Sequence, residues 1–106
     1  MTVILLDKVN GDTVGDTYEL NGGKRHIQIE ADDFGGGTVI LEKKLDSSFD
    51  WQTIPIQDGG IAEFTENASG GLKFVNIGMN IRARLTGSTS PSNVYVAISG
   101  DHNSGS

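Results

Sequence analysis

The sequence contains no cysteine among its 106 residues. This absence excludes a disulfide framework, a cysteine-ligated metal and a thiol nucleophile. Small secreted domains often depend on disulfides, so their absence indicates a reducing compartment or stability that comes from oligomerisation. We therefore expect a homo-oligomer, with a trimer preferred over a dimer.

Basic residues and long apolar runs are also scarce. Eight Lys and Arg residues stand against 14 Asp and Glu residues, which gives a formal net charge of −6. Phosphate binding needs a basic patch, so nucleic acid is a poor partner. The longest apolar run is Val94 to Ile98. A membrane span needs about 20 apolar residues, so we expect no membrane partner.

The sequence does contain many stretches in which apolar and polar residues alternate. This two-residue pattern is clearest in residues 25–31 and 79–85. Successive side chains of a β-strand point to opposite faces of its sheet, so the pattern predicts strands with one buried face and one solvated face. No stretch shows an uninterrupted helical period of three turns.

The 15 glycines mark turns between the apolar runs. Many short strands separated by turns are typical of a sandwich or barrel. We predict an all-β fold, an antiparallel two-sheet sandwich that is jelly-roll-like, with about eight strands. An immunoglobulin-like sandwich is the alternative. The candidate strands lie near residues 3–8, 16–20, 24–31, 38–45, 51–54, 61–65, 72–76, 80–86 and 93–99.

We expect residues 1–106 to form a single β-sandwich domain. Within it, residues 1–12 are a candidate arm and residues 100–106 a flexible tail, because the last residues are too small and polar to pack. The alternation predicts a core that contains Ile27, Ile29, Val39, Leu41, Phe74, Ile81, Leu85, Val96 and Ile98.

Acidic residues cluster at two places, Asp32-Asp33 and the pair Asp46 and Asp50. A glycosidase needs two facing carboxylates, one of them with a raised pKa, and nothing in the sequence indicates a buried pair. Calcium takes about six to eight oxygen ligands, more than residues 46–50 offer. We interpret these residues as solvated turn residues, because Asp side chains readily bond to nearby backbone groups.

The remaining candidates for chemistry are also weak. His26 and His102 are the only histidines, whereas metal sites usually combine three or four ligands. The triple glycine at 35–37 lacks the Lys-Ser/Thr pair and the helix of a phosphate loop. The prediction is therefore no catalytic residue, no metal site and no cofactor.

Two features allow both a structural and a functional interpretation. Trp51, the only tryptophan, is either a core anchor, which we favour, or an exposed platform for a sugar ring. Arg82 and Arg84 share one face of a predicted strand. They form either a solvated sheet face or an ion-pairing strip at a subunit contact, where Arg is enriched.

One long stretch resembles small structural proteins of tailed phages. In residues 37–46 a strand ends in Leu-Asp, a short polar loop follows, and Trp51 opens the next strand at 51–54. The likeness continues in residues 64–67, 81–87 and 94–98, and it covers roughly residues 24–99. In size and layout the chain is most similar to the jelly-roll decoration or cement proteins of phage heads.

This resemblance implies a non-enzymatic virion protein, made in the bacterial cytoplasm and located on the capsid surface. Such a protein binds the major capsid protein and stabilises the shell. The first alternative is a carbohydrate- or receptor-binding module of a phage tail fibre or baseplate, which would need an exposed aromatic platform. The second is an enzyme, which would need a cleft where titratable groups converge.

The candidate arm gives four of the six interface candidates. Its apolar residues could pair with an exposed strand edge of a neighbouring subunit, where backbone hydrogen bonds provide affinity. The same residues could instead form the first strand of this domain's own sheet, and both hold if the strand is swapped between subunits. The interface candidates are Val3, Ile4, Leu5, Leu6, Arg82 and Arg84.

Overall fold

The computed structural model describes residues 2–20, 23–46, 48–54, 61–74 and 79–99, and within them alternating apolar and polar residues form β-strands. These residues contain ten strands and no helix, which confirms the all-β prediction. The strands are β1 (Thr2–Val9), β2 (Thr13–Val14), β3 (Tyr18–Leu20), β4 (Gly23–Glu30), β5 (Thr38–Lys44), β6 (Gln52–Thr53), β7 (Glu63–Phe64), β8 (Ala68–Phe74), β9 (Met79–Thr86) and β10 (Val94–Ser99).

The strands form two antiparallel sheets. The first sheet, sheet A, has the order β1-β10-β4-β8, and the second, sheet B, has the order β2-β9-β5-β6. The short β3 also pairs with β9, and the short β7 also pairs with β5. If β2 with β3 and β6 with β7 each count as one interrupted edge strand, every sheet has four positions. This arrangement is the jelly-roll-like sandwich that the sequence predicts.

The core lies between the sheets and follows the alternation along each strand. In β9, for example, Ile81, Ala83 and Leu85 are buried, while Arg82 and Arg84 lie on the opposite face. Complete burial of such an aliphatic side chain contributes about 1.5–3 kcal/mol. Eight of the nine predicted core residues are buried. The ninth, Phe74, lies in β8, but its side chain is outside the described part of the structure.

Strand β1 is irregular, and its irregularity explains how two consecutive leucines become buried. Its pairing with β10 shifts between Ile4 and Leu6, so Leu5 is the extra residue of a β-bulge. Leu5 and Leu6 are both buried, because a bulge bends the strand locally and re-aims its side chains. A second shift follows between Leu6 and Val9, where Lys8 has a φ of 53°.

Some strand boundaries differ from the predictions. Strand β2 has no predicted counterpart, and β8 begins at Ala68 although the sequence placed a strand near 72–76. Residues 68–71 are small or glycine, so their intrinsic strand preference is low, and pairing with β4 overrides it. The predicted flexible tail at 100–106 lies outside the described residues.

Gly15 lies between β1 of sheet A and β9 of sheet B. Its amide donates a hydrogen bond of 2.8 Å to the carbonyl oxygen of Ala83 in β9. A Cβ at this position would clash with the carbonyl oxygen of Leu5 in β1 and lie 3.0 Å from that of Ala83. Backbone atoms cannot yield as a flexible side chain can, so this close approach requires glycine.

We expect Gly15→Ala to lower the free energy of unfolding by about 1–3 kcal/mol, the usual cost of overpacking. The measurement is the urea midpoint followed by far-ultraviolet circular dichroism. Gly11→Ala is the matched control, because a Cβ there would meet no atom within 4 Å. Equal stability of the two variants would contradict the close approach.

Asp12 connects the loop after β1 to the turn after β9. Its carboxylate accepts hydrogen bonds from the Ser88 hydroxyl, from the Ser88 amide at 2.9 Å and from the Gly87 amide at 3.1 Å. The bond from the Ser88 side chain is the largest cause that lowers the pKa of Asp12 below its usual value, followed by the bond from the Ser88 amide. The charged form of Asp12 is therefore favoured in the folded state.

We expect Asp12→Asn to lower the thermal midpoint at neutral pH, with a smaller effect in acid. A pKa that is lower in the folded state gives stability that is present above the unfolded-state pKa and lost as the pH falls through the folded-state pKa. Thermal melts between neutral pH and strong acid test this. Asp16→Asn, at an exposed position just before β3, is the control and should change the thermal midpoint little at any pH.

Candidate interaction surfaces

The apolar residues of the candidate arm belong to this domain's own sheet. Leu5 and Leu6 are buried in the core, and Val3 packs against it. Val3 and Ile4 are half-buried, and both pair with residues of β10. Residues 3–6 therefore belong to the first strand of the domain's own sheet, which is one of the two predicted arrangements. A role for β1 at a subunit contact stays a prediction, and it would use the strand's outer edge.

Arg82 and Arg84 meet at one carboxylate on the outer face of sheet B. The Nε atom of Arg82 lies 2.9 Å from one oxygen of Glu42, and the Nε atom of Arg84 lies 3.0 Å from the other. The Glu42 residue is only 6% exposed, although it faces away from the core. We call this group the Glu42 cluster; with two positive charges and one negative charge it carries a net charge of +1.

Sheet pairing brings these three residues together. Glu42 of β5 is the direct partner of Arg82 in β9, and Arg84 pairs with Ile40, two residues away from Glu42 on the same face. Such neighbours are within reach of long side chains. A carboxylate that is mostly removed from water is costly unless it is paired. Both arginines therefore stabilise the folded state by pairing with Glu42. Glu42 was not among the residues predicted from the sequence, because Lys43 and Lys44 follow it directly and no local pattern indicates that it is buried.

Trp51, the residue directly before β6, lies on the same outer face. The guanidinium carbon of Arg82 lies 4.3 Å from the ring centroid, and the Lys44 ammonium nitrogen lies 4.7 Å from it. Cations this close to an aromatic ring are attracted by its quadrupole. Trp51 is half-buried and lies outside the core cluster. It is therefore not the core anchor that we favoured; part of it is accessible, and two cationic side chains lie over its ring.

The loop that joins β5 to β6 exposes two apolar side chains. Leu45 is 47% exposed and Phe49 is 52% exposed. They line a surface depression of about 460 Å³ together with residues of both strands. Asp46 accepts hydrogen bonds from the Ser48 hydroxyl at 2.6 Å and from its amide at 2.8 Å. The hydroxyl bond is the main cause that lowers the pKa of Asp46, which acts as a turn residue.

Asp32 and Asp33 lie at one end of the sandwich and take part in turns. The Asp33 carboxylate accepts a hydrogen bond of 2.7 Å from the Gly35 amide, and the Asp32 carboxylate accepts one of 2.7 Å from the Asn93 side chain. Both residues are exposed, and they line a cleft of about 560 Å³ with Glu66. This cleft brings three carboxylates to one surface, and two of them are occupied in local hydrogen bonds.

Only one of the two histidines lies in the part of the chain that the structure describes. His26 is exposed on β4, and His102 lies outside the described residues. Within the part of the chain that the structure describes, no group of three or more His, Cys, Asp or Glu side chains could hold a metal ion. The same residues include no helix long and apolar enough to cross a membrane.

The comparisons with known proteins give a likeness of fold. No protein-family model matches the sequence, and no curated protein matches it. The structure is similar to the crystal structure of the SPBc2 prophage-derived protein YomS, with a TM-score of 0.69 and 7% sequence identity. The match covers 92% of this chain and 90% of that chain, so the two proteins share the whole fold.

We expect Glu42→Gln to lower the free energy of unfolding by about 1–3 kcal/mol. This is the usual cost when a buried polar or charged group loses its hydrogen-bond partner. The amide leaves two arginines without their counter-charge, so the loss should shrink as salt screens their repulsion. Urea midpoints at low and high salt measure it. Glu63→Gln, on an exposed residue of β7, is the control and should change little. Equal midpoints for the two variants would contradict the role of Glu42.

Proposed function

We propose that this chain is a non-enzymatic structural protein of a phage virion that binds the outer surface of the capsid and stabilises the shell. The observation that carries the proposal is the likeness, over nearly the full length of both chains, to a prophage-derived protein. The resemblance of residues 24–99 to decoration proteins of phage heads supports the same role from the sequence. In this role the partner is the major capsid protein.

The chemistry of the described surface fits a binding role better than a catalytic one. The carboxylates Asp12, Asp33 and Asp46 accept hydrogen bonds from turn residues near them in space. Hydrogen bonds to the charged form favour it, whereas a catalytic acid near neutral pH needs a raised pKa. For Asp12 and Asp46 the pKa is lowered instead. These carboxylates therefore hold loops in place.

The loops and outer faces of the sandwich offer the contacts that such a role needs. Phe49 and Leu45 expose apolar surface in the loop between β5 and β6. Arg82 lies over the ring of Trp51, and Trp and Arg are among the side chains most enriched in binding hot spots. A protein that binds only the assembled shell stabilises that shell by mass action. Many copies on one capsid multiply the effect, since each contact must be lost before the shell opens.

The carbohydrate-binding alternative depends on Trp51. Its half-buried position leaves part of the residue accessible, which favours this alternative. Arg82 and Lys44 already lie over the ring, however, and a stacked sugar would compete with them for the ring surface. The capsid role needs no open aromatic ring, and we therefore place it first.

The decisive experiment is co-sedimentation with capsids of the phage that encodes this protein, prepared without it. We expect saturable binding at a fixed number of copies per shell and a higher temperature of DNA release. Capsids of an unrelated phage are the control. A folded protein that stays in the supernatant at saturating concentration would contradict the capsid role. If the wild-type protein instead binds a host-cell glycan and Trp51→Ala abolishes that binding, the result would support the alternative.

A further inference from the structure

The four edges of the two sheets differ in how well they are protected against pairing with another strand. An edge strand exposes unpaired amide and carbonyl groups, and proteins blunt such edges with bulges, charges or very short strands. Both edges of sheet B are interrupted, since β2, β3, β6 and β7 have only two or three residues each. In sheet A, β1 has two register shifts and a residue of positive φ.

Strand β8 is the remaining edge, and it has none of these features except one lysine. Its seven residues pair with β4 in one continuous register, from Gly23↔Phe74 to Ile29↔Ala68, without a bulge. No other described strand pairs with it. It contains one charged residue, Lys73, and two consecutive glycines. A long, regular edge of low charge is the type of edge that accepts another strand.

The hydrogen bonds around the end of β4 show which backbone groups of β8 point outward. The Ala31 amide donates to the Asn67 side chain on the β8 side, and the next amide, Asp32, donates to the Ser92 carbonyl on the β10 side. Directions alternate along an antiparallel strand. Along β4, the amides and carbonyls of every second residue, Ile29 and Ile27 among them, therefore point toward β8, and those of their partners in β8 point back. The amides and carbonyls of the intervening residues Ser69, Gly71 and Lys73 then point away from the sheet.

Charge is distributed unevenly along this edge. Lys24 pairs with Lys73 at one end, and Arg25 follows it. The other end has the exposed acids Glu30, Asp32, Asp33 and Glu66. An antiparallel two-fold contact through β8 would bring the basic end of one copy next to the acidic end of the other. A second copy of this chain is therefore complementary to the edge in its backbone groups and in the order of basic and acidic residues along the register.

We propose that β8 pairs antiparallel with β8 of a second copy, so that two four-stranded sheets become one continuous sheet across a two-fold axis. Such an isologous contact closes at two copies. This gives a dimer in place of the trimer that we preferred from the sequence. The inference goes beyond the proposed capsid role and does not depend on it.

The main test is the molar mass of the purified protein by light scattering over a range of concentrations. We expect a dimer for the wild type and for Ser69→Ala, which keeps the outward amide. Ser69→Pro removes that amide at a position where an edge strand tolerates proline. We expect it to be monomeric, with an unchanged circular dichroism spectrum.

A charge swap tests the contact without altering the backbone. Glu66→Lys should weaken the dimer at low salt by at least tenfold in dissociation constant, and adding Lys73→Glu in the same chain should restore it. A wild type that is monomeric at every concentration, or a dimer that Ser69→Pro leaves intact, would overturn the proposal. Capsid retention is measured separately. If the protein is monomeric in solution and still binds capsids, only the dimer proposal is overturned. If it is dimeric and binds no capsid, only the capsid role is overturned.

Discussion

The pairing of β5 with β9 is the interaction on which the rest of the structure depends. Seven consecutive residue pairs join these two central strands of sheet B. On one face they present Val39, Leu41 and Ile81 to the core. On the other face the same register places Glu42 between two arginines. A shift of one residue would exchange the faces, burying charge and exposing the core, so packing and ion pairing enforce the same register.

The short outer strands and loops are positioned by this central pair and by contacts between the sheets. Gly15 allows the chain to pass closely between β1 and β9, and Asp12 holds the preceding loop to the turn after β9. These contacts hold the outer strands and loops against the central pair. The proposed binding role would use the surfaces that remain, which are the edges, the loops and the outer face of sheet B.

The sequence predicted the fold well but the surfaces only in part. Alternation identified the buried residues of β4, β5, β9 and β10, because burial of one face imposes a two-residue period. It missed residues 68–71 of β8, where small residues and glycine give no pattern. It also misplaced Trp51, because a strand pattern gives the face of a residue only when its register is known. The clustering of Arg82 and Arg84 on Glu42 joins residues 40 positions apart, which a local pattern cannot show.

The sequence by itself determined the all-β class and most of the core, since these follow from composition and local periodicity. Tertiary structure alone decided that residues 3–6 form a bulged strand of the domain's own sheet, that Glu42 joins two arginines, and that β8 is a regular edge. These outcomes depend on which strands become neighbours. The physical reason is that neighbours are chosen by the joint packing of both sheets, to which every strand contributes.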